Sequence, residues 1–511
     1  MRVAGRPALA TCIGLLGGAT LAAALVCTDV ARSAPRHRSA ALELGAADAW
    51  PAPNENQAGT REAPGDAMSS RSVSRLHRVW RFVLPEEPTY SGVVASTPLV
   101  LAGTVYVETL NSNVYALSAH NGRLEWTRRF NRMSGGPNGL AAGYGRLYGV
   151  TNTAVFALDR RTGRVLWSRR VTTASAPLDI APAVADGLVI IGTSAQQPGT
   201  KGSLMALDAW TGRVVWRRGT IRGAWAHPKL ASGGGVWWTP TVDATGGLWV
   251  GTANPLPWGG TRSLPNGGAY RGAARYTDSL LALSVRTGDL RWNDQVTPHD
   301  VRDYDFTLPP MLARTGGREL VIGAGKAGRV IAWNRVTRSR VWTAVVGRHL
   351  NDSGPLPSLP VTVCPGLLGG VLTPMAIARG RVFVPVVNLC MRGSAVGYEP
   401  LAAVDPARGR GELLALDAAT GRRLWKRSLS SPDFGCATAA GDAVFTSTYT
   451  GRVYAFDQRT GSTLWTVQEP AGINGCPAIA GNLLVVPAGA EPSTMSTPNP
   501  VIDAYETGPG A

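Results

Sequence analysis

The segment that decides the fold is Tyr115-Ala-Leu-Ser-Ala-His-Asn-Gly-Arg-Leu-Glu-Trp126, where an apolar run, a polar turn and a tryptophan follow one another. It returns as Phe156-Ala-Leu-Asp-Arg-Arg-Thr-Gly-Arg-Val-Leu-Trp167. In this second copy the Asp side chain can close the turn, and the Gly suits the left-handed conformation that the turn requires. The tryptophan four residues later can pack over the preceding sheet. Each copy therefore predicts two antiparallel strands joined by a tight turn.

The repeat continues along the chain, and its period indicates the architecture. Further copies end at Trp216, Trp292, Trp342, Trp425 and Trp465. Including Trp80, five of the seven intervals between these tryptophans are 40 to 50 residues long, and two are 76 and 83. Short apolar runs bounded by Gly or Pro leave room for two more strands in each period. A period of this length with four strands is typical of a β-propeller blade.

The two ends of the chain supply complementary halves of one more unit. Trp80 has no polar turn before it, and Glu506-Thr507-Gly508 has no tryptophan after it. Joined, they complete an eighth unit. The sequence predicts an all-β fold: an eight-bladed β-propeller of four-stranded antiparallel blades, spanning residues 73–511 and closed by strands from both termini.

Composition and charge exclude several classes of protein. The chain has 511 residues, 62 of them Gly, and only 17% are charged, which excludes a coiled coil. An apolar fraction of 44% excludes global disorder. The net charge is +17, but only four basic residues are Lys and the Arg are scattered through turns. We therefore expect no nucleic acid partner.

The N-terminus has the layout of an export signal. Arg2 and Arg6 precede an uncharged stretch at 8–26, which is followed by small residues. Residues 1–34 are predicted to be a signal peptide or a membrane anchor, so the protein is expected to be secreted or to reside in the cell envelope. Residues 35–72 are rich in Ala, Pro and Ser without periodicity, which predicts a flexible linker.

Four cysteines follow the predicted signal, and an even number in an exported protein favours two disulfides. They are Cys364, Cys390, Cys436 and Cys476. Three pairings are open, and we expect the neighbours in sequence to pair, Cys364 with Cys390 and Cys436 with Cys476.

The repeats resemble the tryptophan-docking motif of the quinoprotein propellers, a family that includes alcohol dehydrogenases dependent on pyrroloquinoline quinone (PQQ). Propellers without a cofactor that assist membrane-protein assembly carry much the same repeat. The repeat therefore indicates the fold, and function has to be argued from the site.

Two segments resemble the metal-binding and catalytic segments of that family. Gly251-Thr-Ala-Asn254-Pro-Leu-Pro-Trp258 looks like the segment whose Asn is a metal ligand. Thr297-Pro-His-Asp-Val-Arg-Asp303-Tyr-Asp305 looks like the segment with the catalytic Asp. The resemblance implies that Asp303 is the general base and a metal ligand, and that Asp305 is the extra carboxylate of the branch that uses lanthanides.

Other matches concern the quinone. By resemblance, Trp237 forms the floor under the quinone, Lys326 places a basic group over its oxygens, and Ser194 and Trp258 lie in further cofactor-binding segments. The resemblance thus implies PQQ together with Ca²⁺ or a lanthanide. It also implies a small or polymeric alcohol as substrate, and an external electron acceptor such as a cytochrome or a quinone.

The chain also departs from the family pattern. Gln197 stands where the family has a metal-binding Glu, so one negative charge is missing. Asn138 stands where a quinone-contacting Arg is usual, and the pair of adjacent cysteines above the quinone is absent. These departures keep a second hypothesis open, in which the chain is a non-catalytic propeller that serves as a binding or assembly scaffold at the cell envelope.

Overall fold

The computed structural model describes residues 48–195, 197, 199–221, 232–270, 272–400, 403–490 and 498–508. Residues 41–511 belong to one compact unit. The predicted signal or anchor at 1–34 lies outside the described residues. Within the described part of the chain, no helix is long and apolar enough to cross a membrane.

Six blades follow one another along the chain, each with four antiparallel strands in sequence order. The first blade contains Leu99–Leu101, Thr104–Glu108, Val114–Ser118 and Leu124–Arg128, and the second contains Ala141–Gly143, Arg146–Val150, Ala154–Asp159 and Val165–Arg170. The third contains Ala183–Ala185, Leu188–Gly192, Ser203–Asp208 and Val214–Gly219, and the fourth contains Thr241–Val242, Gly247–Gly251, Ser279–Ser284 and Leu290–Gln295. The fifth contains Met311–Thr315, Arg318–Gly325, Arg329–Asn334 and Arg340–Val345, and the sixth contains Ala376–Ala378, Arg381–Asn388, Arg410–Asp417 and Arg423–Leu429. The first strand of each blade lies innermost.

The seventh and eighth blades use residues from the N-terminal part of the chain. The seventh contains Thr438–Ala440, Ala443–Ser447, Arg452–Asp457 and Thr463–Gln468, with Glu62–Ala63 added in parallel; the eighth contains Ala478–Ala480, Leu483–Ala488, Val501–Thr507 and Leu76–Val83. Leu76–Val83 pairs with Val501–Thr507, so strands from the N-terminal and C-terminal parts of the chain share one sheet. The predicted fold of four-stranded propeller blades is confirmed.

Within the described residues, four short elements complete the secondary structure. A two-stranded sheet joins Ser232–Gly233 to Pro255–Leu256, and a three-stranded sheet contains Val361–Val363, Met391–Ser394 and Gly397–Tyr398. Two 3-10 helices span Val73–Arg75 and Pro406–Arg408. The expected disulfides, Cys364–Cys390 and Cys436–Cys476, are both present.

The repeat tryptophans pack against the turn of the next blade. The Trp126 indole covers Gly163, where an added Cβ would lie 2.4 Å from the ring. Gly163 has φ +66, which side chains rarely adopt, so the turn requires Gly for two independent reasons. Trp167 also donates a hydrogen bond from its Nε1 to Ala209 O of the next blade, at 3.1 Å.

Residues 50–63, which we call the belt, differ from the flexible linker that the sequence predicts for 35–72. The belt crosses the inside of the ring and forms hydrogen bonds with the innermost region of every blade in turn. Its partners are Val100, Ala142, Val184, Val242, Leu312, Ile377, Ala439 and Pro477. The short inner strands leave peptide groups unpaired, and the belt satisfies them. Composition concealed this role, because an irregular chain that follows a ring has no sequence period.

Candidate functional site

The residues singled out at 254, 303, 305 and 326 meet at one end of the channel, where the inner strands begin. Asp303 and Asp305 lie in the loop between the fourth and fifth blades, and Lys326 directly follows the strand Arg318–Gly325. The Lys326 backbone N donates to Asp305 O at 3.0 Å. A Cβ on Gly325 would lie 2.2 Å from the same oxygen, so Gly325 permits this close approach.

Three of the four carboxylate oxygens of Asp303 and Asp305 accept a hydrogen bond, and the fourth is in an ion pair. Asp303 accepts from Asn254 Nδ2 through Oδ1 at 2.8 Å and from Lys326 Nζ through Oδ2 at 2.6 Å. Asp305 accepts from the Asn254 backbone N through Oδ1 at 2.9 Å, and its Oδ2 lies 2.5 Å from Lys326 Nζ. The four residues form a closed network in which the Lys326 ammonium lies between the two carboxyl groups.

Trp237 forms a flat wall beside this network. The Lys326 ammonium nitrogen lies 5.3 Å from the centroid of the indole, within the range of a cation–π interaction. The indole Nε1 donates to the hydroxyl of Thr307, which fixes the ring at its polar edge. The orientation of the Trp237 ring is therefore fixed, and a positive charge lies close to it.

Two cavities adjoin Trp237 and Lys326. One, of about 260 Å³, reaches Asn254 and Asp303 and has apolar walls that include Leu256 and Leu368. The other, of about 220 Å³, opens along the channel and also contacts Asp305. Among the side chains that line these two cavities, Lys326 is the single cation. Together they suit a flat, anionic aromatic molecule on Trp237, with space for a second small molecule beside Asp303.

Burial controls the protonation of the site. Burial raises the pKa of Asp303 well above its usual range, against the opposing effect of the Lys326 ammonium. Burial alone would lower the pKa of Lys326, but the carboxylates of Asp303 and Asp305 outweigh it and raise the pKa. Further back, burial raises the pKa of Asp300 to about 6 and that of Asp278 well above its usual range. Such a group of buried carboxyls is typical of sites that hold or transfer protons.

The structure brings Asn254, Asp303, Asp305, Lys326 and Trp237 together, and it places Ser194 in the wall of the larger cavity. Other candidates lie elsewhere. Trp258 packs against Tyr398, with centroids 4.8 Å apart, and is not among the residues that line the two cavities. Gln197 lies in an exposed turn, where its backbone O accepts from Thr200. Asn138 is buried and donates to Thr109 O, away from the cavity surface.

Sequence reasoning missed Thr307 and Asp278, which are ordinary strand or loop residues in sequence, without a distinguishing pattern. The loop that contains Leu367 and Leu368 lies in the run Cys364-Pro-Gly-Leu-Leu-Gly-Gly, which resembles the family in sequence. The disulfide from Cys364 to Cys390 restrains this loop.

Two family models match this chain. A family model described as "Glucose/ethanol/alcohol dehydrogenase, beta-propeller domain" matches residues 50–142 and 170–352, more than half of the chain. A second, described as "Outer membrane protein assembly factor BamB", matches residues 409–497. The first match includes the belt and every residue of the network.

Individual relatives are distant but cover most of the chain. A quinohemoprotein alcohol dehydrogenase of Comamonas testosteroni is 27% identical over 482 residues, which is 80% of this chain and 67% of the relative. The quinoprotein alcohol dehydrogenase PedH of Pseudomonas putida is 26% identical over 494 residues, 82% of each chain.

Solved structures show the shared fold. The crystal structure of the Comamonas protein superposes with a TM-score of 0.78 at 24% identity, covering 91% of this chain and 81% of that one. A europium-containing methanol dehydrogenase superposes with a TM-score of 0.76 at 20% identity, covering 90% and 98%. The chain belongs to the family of PQQ-type β-propellers found in alcohol dehydrogenases, as a divergent member.

Proposed function

We propose that this chain is an exported, PQQ-dependent dehydrogenase that oxidises alcohols, with Asp303 as the general base. The observation that carries the proposal is the convergence of Asp303 and Lys326 on one cavity beside the flat face of Trp237. A carboxylate, a buried cation and an indole wall are the groups that binding an anionic quinone and deprotonating an alcohol require.

The residues present fit the quinone. The indole of Trp237, held by Thr307, offers a planar surface for stacking, and the Lys326 ammonium offers a charge-assisted hydrogen bond to an anionic or carbonyl oxygen. When bound, the quinone supplies the acceptor for the hydride that leaves the alcohol carbon. The apolar walls at Leu256 and Leu368 exclude water from this contact.

Asp303 would take the hydroxyl proton of the alcohol at a carboxylate oxygen. A base works best when its pKa lies near the working pH, and burial raises the pKa of Asp303 in that direction. Asn254 holds Oδ1 and Lys326 holds Oδ2, so the carboxylate keeps one orientation towards the cavity. We further propose that the electrons then pass to an external acceptor such as a cytochrome or a quinone.

The Ca²⁺ or lanthanide expected from the resemblance does not fit the residues as arranged. Such hard cations need six or more oxygen ligands, whereas Lys326 Nζ lies between Asp303 and Asp305, and Asn254 directs its Nδ2 to Asp303. The fourth expected ligand, Gln197, is exposed on another turn. Among the described residues no group of three His, Cys, Asp or Glu is placed to hold a metal. The proposed chemistry therefore rests on the residues of this chain and on the quinone.

The test is reconstitution of the purified chain with PQQ, followed by dye-linked oxidation of primary alcohols. We expect activity that Asp303→Asn lowers by about 10² to 10⁴-fold, the range for removal of a general base. Asp289→Asn is a matched control, because Asp289 is 61% exposed and pairs with Arg218 at the surface. Equal activity of Asp303→Asn and the wild type would refute the base assignment.

A non-catalytic scaffold at the cell envelope is the second candidate, favoured by the match of residues 409–497 to the BamB family model. It predicts neither quinone binding nor alcohol oxidation under any condition. Quenching of tryptophan fluorescence by added PQQ separates the two candidates before any substrate is known.

A further inference from the structure

The closed network around Asp303 and Asp305 has a consequence for cation binding. We infer that the Lys326 ammonium occupies the position and supplies the charge of a metal ion between the two carboxylates, so that this chain binds its quinone without a metal. The inference rests on the proposed function for the identity of the quinone. Its first half, the exclusion of metal ions, rests on the network alone.

The first argument is that the Lys326 ammonium and the Asn254 amide nitrogen occupy the space in which a metal ion would contact Asp303 and Asp305. Three of the four carboxylate oxygens accept a hydrogen bond at 2.6 to 2.9 Å, and the fourth, Asp305 Oδ2, lies 2.5 Å from Lys326 Nζ in an ion pair. Asn254 points its amide Nδ2, not its oxygen, at Asp303. Entry of a metal would require Lys326 to leave and Asn254 to turn over.

Charge and burial are the second argument. The Lys326 side chain is 12% exposed, that of Asp303 14% and that of Asp305 1%, so the three charges interact with little screening by water. The ammonium neutralises one of the two negative charges, which lowers the attraction for any further cation. It also repels a cation at the same point, because like charges at short range in a buried site interact strongly.

The missing carboxylate is the third argument. Gln197, in place of an acidic residue, carries no charge, and its side chain lies in an exposed turn. Among the described residues, no third acidic side chain is placed to hold a metal ion together with Asp303 and Asp305. Lys326 still provides the positive group that a quinone oxygen needs.

The decisive probe is Tb³⁺, a lanthanide whose emission a nearby tryptophan sensitises. For the wild type we expect no saturable sensitised emission, because the cation cannot reach the carboxylates beside Trp237. For Lys326→Met we expect a saturable signal, with affinity at least about ten-fold above the wild type, since two buried carboxylates lose their counter-charge. Saturable one-to-one binding of Tb³⁺ by the wild type would overturn the inference.

Two further variants control for general effects of losing a lysine. Lys426 forms an ion pair with the single carboxylate of Glu412 at 3.0 Å on the surface, so Lys426→Met is expected to create no site. Lys326→Arg keeps the positive charge and is expected to exclude Tb³⁺ as the wild type does. A signal from Lys326→Arg equal to that of Lys326→Met would also contradict the inference. If Lys326→Met does not fold, the wild-type measurement still decides.

The second half of the inference, quinone binding without a metal, is tested by titrating the wild type with PQQ in EDTA, in Ca²⁺ and in La³⁺. Quenching of tryptophan fluorescence measures the binding. We expect the three dissociation constants to agree within about two-fold. This is well below a ten-fold change, which would correspond to about 1.4 kcal/mol of binding free energy. Tighter binding by about ten-fold or more with either metal would refute metal independence. Absence of quinone binding in all three solutions would refute the proposed function, and the Tb³⁺ result would still decide whether the network excludes metals.

Discussion

The Lys326 ammonium nitrogen lies 5.3 Å from the centroid of the Trp237 indole. The Nε1 of the same indole donates a hydrogen bond to the hydroxyl of Thr307. The indole is thus held at its edge by a hydrogen bond and at its face by a cation. The orientation of the wall against which the quinone is proposed to stack depends on both contacts.

Thr307→Val should therefore weaken quinone binding without unfolding the protein. A neutral hydrogen bond contributes about 1 kcal/mol, so we expect the dissociation constant for PQQ to rise about five-fold. Thr307→Ser retains the hydroxyl and should bind as the wild type does. Fluorescence titration measures both, and equal affinities for the Val and Ser variants would contradict the role given to Thr307.

The packing of Trp126 on Gly163 predicts a large difference between two glycines of the second blade. Gly163 and Gly145 both have positive φ, but a Cβ on Gly145 would meet nothing within 4 Å, whereas on Gly163 it would meet the indole. We expect Gly145→Ala to lower the free energy of unfolding by about 1 kcal/mol, from backbone strain alone. Gly163→Ala should cost a further 1 to 3 kcal/mol, roughly, from the clash. Urea titrations that gave equal losses would show that the indole does not press on the turn.

Arg61 predicts how strongly the belt is joined to the ring. Its buried guanidinium donates to carbonyl oxygens of Pro53, Ala437 and Pro477, and to the hydroxyl of Thr438. Arg61→Met leaves these acceptors unpaired, and we expect a loss of about 3 to 5 kcal/mol in unfolding free energy. Arg161→Met, at an exposed turn, should change it by less than about 0.5 kcal/mol. Comparable denaturation midpoints for the two variants would mean that the belt adds little stability.

Asp243 predicts a loss of stability in acid. Burial by itself would raise the pKa of Asp243, but hydrogen bonds from Thr245, Trp249 and Gly247 outweigh it and lower the pKa to about 2. Because this folded value lies below the unfolded value near 4, the stabilisation is complete above about pH 4 and is lost as the pH falls to about 2. The shift corresponds to about 2 kcal/mol.

Asp243→Asn is the matched variant for this prediction. The difference in unfolding free energy between wild type and variant should be about 2 kcal/mol at pH 7 and should shrink towards zero near pH 2. Guanidinium titrations at pH 7, 4, 3 and 2 measure it, and a difference that does not change with pH would contradict the assignment.

The fold was predictable because its signal is local and repeated. A turn with Asp or Asn and Gly, followed by tryptophan, specifies strand, turn and strand within twelve residues. The period between copies indicates a four-stranded blade, and the number of copies gives the number of blades. The belt was not predictable, because Trp50 pairs with Val100 and Arg61 binds Ala437 and Pro477, all of them distant from the belt in sequence. Their surroundings in sequence, rich in Ala and Pro, have the composition of a linker.

For the site, the resemblance of several segments to the quinoprotein family indicated Asp303, Asp305, Asn254, Lys326 and Trp237, all of which converge in the structure. The repeat in the sequence determined the propeller, and the resemblance indicated the segments that supply the site. The sequence left three disulfide pairings open, and the structure has the expected one. Only the tertiary structure decided that Gln197 lies apart and that Lys326 faces both carboxylates. The physical reason is that repeat periodicity is encoded between near neighbours, whereas the pairing of charges depends on distances of a few ångströms between segments that only the closed ring brings together.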